Sequence, residues 1–286
     1  MDPPDIDVEE FSTAVTEYNP LLRDFFTNGE INFSNYNSIS QGEVGDCWLL
    51  APLAALSKSP INRILLENNF TINDDNTYTV KLYSTNKKAA QKININGNLY
   101  YVPKIPGYKS DLLFAGQQQF IPEKKQPPFE STWYAFIEKA VAILYGGYQM
   151  LDGGDPDSPD AKQPDLGFYN LTGKKATTLT IDESTDFKKT IKKLLDEGAS
   201  IVYTTKSNNV LPDGKKIKTS PDDTNDESGL NLLEDHAYVV DSISKDGTIK
   251  LYNPHGELPH LQMNKAKSLP TAKAIFFGNR LDILTL

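Results

Sequence analysis

Cysteine is nearly absent from this chain of 286 residues, which holds one, Cys47, beside three histidines, three methionines and two tryptophans. A single thiol closes no intramolecular disulfide, supplies no Cys-x-x-Cys redox pair and builds no multi-cysteine zinc site. Positive charge is also scarce, with 29 lysines and arginines against 38 aspartates and glutamates for a formal net charge of -9. That balance argues against nucleic acid and anionic membrane as partners. No apolar run approaches membrane-spanning length, and the start Met1-Asp2-Pro3-Pro4-Asp5-Ile6-Asp7 is acidic where a secretion leader would be basic and then apolar. A soluble, cytoplasmic chain is expected, long enough for one large domain or two subdomains.

What is present is a particular setting for that thiol. A free cysteine is ordinarily a small core residue, whereas Cys47 follows a glycine turn in Gln41-Gly42-Glu43-Val44-Gly45-Asp46-Cys47-Trp48-Leu49-Leu50 and opens an apolar run. A helix starting there sets the positive end of its dipole and its unpaired backbone N–H groups at the sulfur. Both favour the thiolate, the nucleophilic form. From Cys47 to about Lys58 the run is apolar on every face, as a central buried helix would be. Pro52 removes one hydrogen bond within it and predicts a bend away from the thiol.

The remainder reads as α+β. Residues 1–20 are acidic and proline-spaced, a loose arm that is either a prosegment or without a role. Alternating residues over 78–83 and 92–102 predict strands, with Asn96-Gly97 turning the second segment back on itself. A helix over 132–144 puts Trp133, Phe136, Ile137, Ala140 and Leu144 on one face. Another over 184–197 turns Phe187, Ile191, Leu194 and Leu195 inward and stops at Gly198. Strands follow at 200–205, 237–243, 248–252 and 274–277, with a turn at Lys245-Asp246-Gly247. The long polar stretch 206–229 reads as a gate or a disordered loop.

A thiolate nucleophile needs a base to hold it as an ion pair, and a third group to orient that base. His236 enters one predicted strand and Asn253 ends the next, after the Lys245-Asp246-Gly247 turn. A hairpin of that length brings the two residues side by side, so Asn253 can fix which ring nitrogen faces the sulfur. Gln41, across the glycine turn, can aim its amide at the same point as the backbone N–H of Cys47, supplying donors for an oxyanion.

These residues resemble the calpain family of papain-like cysteine proteases. The family pattern Gln-Gly-x-x-Gly-Asp-Cys-Trp-Leu-Leu matches Gln41 to Leu50 at each fixed position, His-Ala-Tyr matches His236-Ala237-Tyr238, and Asn-Pro-x-Gly matches Asn253-Pro254-His255-Gly256. The resemblance implies a papain-like fold: an acidic arm over 1–30, a mainly helical subdomain over 31–175 with Cys47 on its central helix, and a β-barrel-like antiparallel subdomain over 176–286 with His236 and Asn253. It implies a monomeric endopeptidase that cleaves proteins or peptides through a thioester. Cys47, His236 and Asn253 are then catalytic, Gln41 lines the oxyanion hole, and Gly45, Asp46, Trp48, Asp235 and His255 line the cleft.

The chain departs from the family at several of these places. His255 stands where a tryptophan screens the His–Asn bond, leaving Trp48 or Tyr252 to do so. Asp235 stands where glycine precedes the histidine, which adds a carboxylate beside the base and favours basic substrates. Pro52 replaces a small helix former. Ser38 and Gln149 occupy positions where relatives place carboxylate ligands for calcium, and hard cations need such oxygens. No cofactor requirement is expected, with calcium held weakly at most. Two other classes fit the same residues: a calpain-like binding module without turnover, and a thiol-dependent acyl transferase.

Overall fold

The computed structural model describes residues 16–18, 31–39, 41, 44–75, 77–96, 99–101, 110–111, 118–120, 133–153, 161–180, 187–205, 232–245, 249–254, 260–263 and 280–285. The first part of the chain runs β1 (Thr16–Tyr18), α1 (Cys47–Lys58), α2 (Pro60–Glu67), β2 (Phe70–Ile72), β3 (Tyr78–Leu82), β4 (Gln91–Ile95), β5 (Leu99–Tyr101), β6 (Ser110–Asp111), β7 (Gln118–Phe120), α3 (Trp133–Tyr145) and α4 (Pro164–Thr172). Strands β2, β3 and β4 form a small antiparallel sheet. Strand β1 pairs antiparallel with β5. Residues 16–18 of the N-terminal arm, expected to be loose, thus form a strand against β5.

Helix α1 is the centre of the molecule. Its residues Trp48 to Ser57 are all buried, packed by α4 and α2 on one side and by sheet strands on the other. The helix runs through Pro52 without interruption. A proline there leaves the Trp48 carbonyl without its usual helical partner, and α4 closes onto that spot. Gly167 of α4 lies so near that a Cβ would stand 2.3 Å from the Trp48 carbonyl oxygen and 2.9 Å from Pro52 Cγ. Helix α3, expected to bury one face, is buried all round from Trp133 to Ala142, Glu138 and Lys139 included. The reason is a second neighbour: Phe136 stacks on Tyr78 of β3 at 4.4 Å, while α1 covers the other side.

The second part runs β8 (Thr177–Thr180), α5 (Phe187–Asp196), β9 (Ser200–Thr204), β10 (Ala237–Ile243), β11 (Ile249–Tyr252), β12 (His260–Met263) and β13 (Arg280–Leu284). Helix α5 stops as expected at Gly198, whose φ of 76° is the left-handed conformation glycine favours. The strands form one antiparallel sheet in the order β12-β11-β10-β9-β13-β8. Among the described residues this sheet is open, and the expected barrel-like closure is not seen. Both of its faces are covered: Ala237 and Val239 join the core around α1, while Tyr238 and Val240 join a second core with Ile191 of α5. Alternating side chains of one strand thus serve two cores. The strand expected at 274–277 lies outside the described residues, and β13 just after it inserts between β9 and β8.

Polar bonds join the two parts. Asn62 Nδ2 donates to Ser200 Oγ at 2.8 Å, Ser200 Oγ donates to the Ala55 carbonyl at 2.8 Å, and Tyr36 OH donates to Asp241 Oδ1 at 2.5 Å. Arg280 bridges Asp165 of α4 at 2.8 Å and the buried Asp282 of its own strand at 2.6 Å.

The tight contact at α1 and α4 gives a direct check. Gly167→Ala forces the two helices apart and lowers stability by about 1–3 kcal/mol, read as a lower denaturation midpoint with an unchanged slope.

Candidate active site

The sulfur is delivered by backbone. Gly45 accepts from the Gly153 N–H at 2.8 Å, and the Asp46 carbonyl takes the first turn of α1 through the N–H groups of Leu49 at 2.8 Å and Leu50 at 3.1 Å. These bonds seat Cys47, half-buried, on the wall of a cleft of about 210 Å³. Gln41, Gly45, Trp48, Asp235 and His236 line the same cleft. A larger cavity of about 310 Å³ opens beside Lys58, at the other end of α1, and contains none of these groups.

His236 is held from two directions. Its backbone N–H donates to Thr205 Oγ1 at 3.0 Å, its carbonyl accepts from the Thr205 N–H at 3.0 Å, and the Thr205 hydroxyl donates to the Leu233 carbonyl at 2.7 Å. The ring stands edge-on to Tyr238, with centroids 4.9 Å apart. Strands β10 and β11 pair Val239 with Tyr252, and beyond that pair His236 Nε2 lies 2.7 Å from Asn253 Oδ1. An amide oxygen only accepts, so Nε2 carries the hydrogen and Nδ1 the lone pair. Asn253 is buried at 1 % exposure, which keeps water from competing for that bond.

Gln41 is positioned by the opposite part of the fold. Its backbone N–H donates to the Pro254 carbonyl at 2.7 Å, and its side-chain Nε2 donates to the Val44 carbonyl at 2.7 Å. One amide hydrogen of Nε2 is thereby used and the second is directed by it. Just upstream, the Tyr252 hydroxyl donates to the carbonyls of Ile39 and Asn37, and the Tyr36 and Tyr252 rings meet edge to face at 5.6 Å. The segment carrying Gln41 is thus bonded to the strands carrying His236 and Asn253.

Two expectations need correction. Asp46 does not line the cleft: it is wholly buried, because its side chain turns inward beneath the helix start. The helix N-terminus also does not make Cys47 acidic. Burial pushes the thiol up to about 12, outweighing the N–H groups of Ala237, Trp48 and Cys47 that face it, and the charge of Asp46 adds to the rise. Asp235 does line the cleft and holds a φ of 49°, the one non-glycine left-handed backbone among the described residues. His255 lies outside the described residues.

Residues 22–262 match the family model for calpain family cysteine proteases. The chain belongs to that family. It is 26% identical to Calpain-A of Drosophila melanogaster over 244 residues, covering 84% of this chain and 24% of that protein. It is 24% identical to Calpain-13 of Rattus norvegicus over 237 residues, 76% of this chain and 29% of that protein. Calpain clp-4 of Caenorhabditis elegans is 31% identical over 144 residues, 48% of this chain and 16% of that protein. The chain thus spans under a third of the length of these relatives. Among the described residues no three or more His, Cys, Asp or Glu side chains group as a metal site, and no helix is long and apolar enough to cross a membrane.

Sequence reasoning missed Thr205, Tyr36 and the depth of Asp46. Thr205 ends a predicted strand and nothing local marks it. Tyr36 is a lone aromatic ahead of the glycine turn. Two variants test these assignments. Thr205→Val keeps the shape, removes the hydroxyl bonds and costs about 1–2 kcal/mol, with slower alkylation of Cys47 as His236 loosens. Asp235→Gly relieves the left-handed backbone and raises stability by about 1 kcal/mol, read by thermal melting.

Proposed function

We propose that this chain is an endopeptidase in which Cys47, His236 and Asn253 form the catalytic triad and Gln41 supplies an oxyanion donor. His236 Nδ1 takes the thiol proton, and the sulfur attacks the scissile carbonyl carbon. The oxygen that gains the electron pair is met by the Gln41 amide and the Cys47 N–H. Collapse breaks the C–N bond, the amine leaves with the proton from His236, and a thioester to Cys47 remains. His236 then deprotonates a water, which attacks the thioester and releases the carboxylate with restored thiol. The 2.7 Å bond from His236 to Asn253 at the edge of the cleft that holds Cys47 carries this reading. It favours the tautomer in which Nδ1 carries the lone pair that accepts the proton.

The reaction as written uses no calcium, and protein or peptide chains are its substrates, handled by a monomer. Asp235 on the cleft wall favours a basic side chain in the substrate. The experiment is cleavage of an unstructured protein, with calcium or with chelator. Wild type cleaves at the same rate in both, and Cys47→Ala and His236→Ala lose activity by about a hundredfold or more. Gln41→Ala lowers the cleavage rate by about 10²–10³. Absence of cleavage in either condition, together with no labelling of Cys47 by a thiol-directed epoxide, would sink the reading.

A further inference from the structure

The cleft wall carries a cation that the proposed reaction does not use. Lys162, just ahead of α4, lines the cleft with Cys47 and is half-buried. Among the described residues of that lining it is the one lysine or arginine, beside the carboxylates of Asp152 and Asp235. Backbone bonds fix its place: the Lys162 N–H donates to the Gly153 carbonyl at 3.0 Å, and the Gly153 N–H donates to the Gly45 carbonyl at 2.8 Å. This stretch of wall is thereby tied to the turn that delivers the sulfur.

The side chain is seated as well. Nζ lies 6.0 Å from the ring centroid of Trp48 and 5.9 Å from that of Tyr145, and the two rings meet edge to face at 6.1 Å. Aromatic faces attract a cation, and the Trp48 ring is itself held, its Nε1 donating to the Leu151 carbonyl at 2.7 Å. Nζ donates to the Asp152 carbonyl at 3.0 Å. It meets the backbone of Asp152 and not the carboxylate, whose Oδ1 rests against Gly45, 3.0 Å from where a Cβ would stand. An ammonium has three N–H donors, so this bond leaves two. Held on a rigid seat beside the nucleophile, the group loses little freedom on taking an anion.

We propose that Lys162 is a specificity-determining residue of the cleft, which receives a carboxylate of the substrate on its two remaining N–H donors. This deepens the peptidase reading and rests on it. The carboxylate belongs to an aspartate or glutamate side chain near the scissile bond, or to the substrate's own C-terminus. Asp235, from the other part of the chain, offers the same cleft the opposite charge, so the two together select a substrate that carries both signs.

Amidated peptides with glutamate or glutamine placed in turn at each position around the scissile bond read the cation. At one position the wild type should prefer glutamate by about fivefold in kcat/KM, the scale of a partly exposed ion pair, with the difference in KM and kcat unchanged. Lys162→Met loses the preference, Lys162→Glu reverses it and Lys162→Arg keeps it, whereas a merely structural role would alter both peptides alike. All-glutamine peptides ending in a free carboxylate or an amide assign the source: a preference for the free acid that Lys162→Met abolishes places the C-terminus there. Equal ratios in wild type and folded Lys162→Met, for both kinds of carboxylate, overturn the proposal. If Lys162→Met does not fold, the wild type decides: added salt shrinks the preference, and a preference absent or indifferent to salt overturns it. A wild type that cleaves every peptide equally well overturns the role of Lys162 and leaves the peptidase reading standing. One that cleaves none removes that reading, and the cation is then read at the single cysteine. Iodoacetate should gain on iodoacetamide at Cys47 in the wild type relative to Lys162→Met, and equal ratios overturn the proposal.

Discussion

Helix α1 is buried from Trp48 to Ser57, and that constraint determines where the sulfur can be. A helix apolar on every face has no solvent side and must be enclosed; here α4, α2, β9 and β10 enclose it. Each leucine of Leu49, Leu50, Leu53 and Leu56 contributes about 1.5–3 kcal/mol by leaving water. The end of this helix that reaches the cleft lined by His236 is its first, at Cys47. Because β10 packs on the same helix and begins just after His236, the packing that stabilises the fold also brings His236 and Cys47 to one cleft.

The same enclosure has an electrostatic cost. A buried sulfur is a poor acid, and burial pushes Cys47 up to about 12 despite three backbone N–H groups facing it. A neighbouring carboxylate worsens this, and Asp46 is that neighbour. A nucleophilic role for this sulfur would therefore depend on a base beside it. Thr205, Asn253 and the Tyr36–Tyr252 contact hold His236 and the Gln41 segment from the sheet side. All of them lie where the two parts of the chain touch.

The motif from Gln41 to Leu50, the helix after it and the His236–Asn253 hairpin were legible in the sequence because each is local: a glycine turn, a continuous apolar run and a two-strand register. Helix α5 and its stop at Gly198 were legible for the same reason. What was not legible depends on contacts between distant segments. The inward turn of Asp46 needs α3 in place, the all-round burial of α3 needs β3, and the clamp on His236 needs the end of β9. Strand β13 was missed because its place between β9 and β8 is set by the sheet, and its Asp282 is neutralised by Arg280 rather than by solvent. The open sheet also differs from the barrel-like expectation, since alternation along β10 feeds two cores.

The central claim is that Cys47 forms a covalent thioester during turnover. The most direct measurement is acid quenching of the protein while it hydrolyses an activated peptide ester, followed by mass spectrometry of the digested chain. The account predicts that the acyl part of the substrate is found on the fragment containing Cys47, and that free hydroxylamine removes it. Product formation with no adduct, or with the adduct on a fragment lacking Cys47, would contradict it.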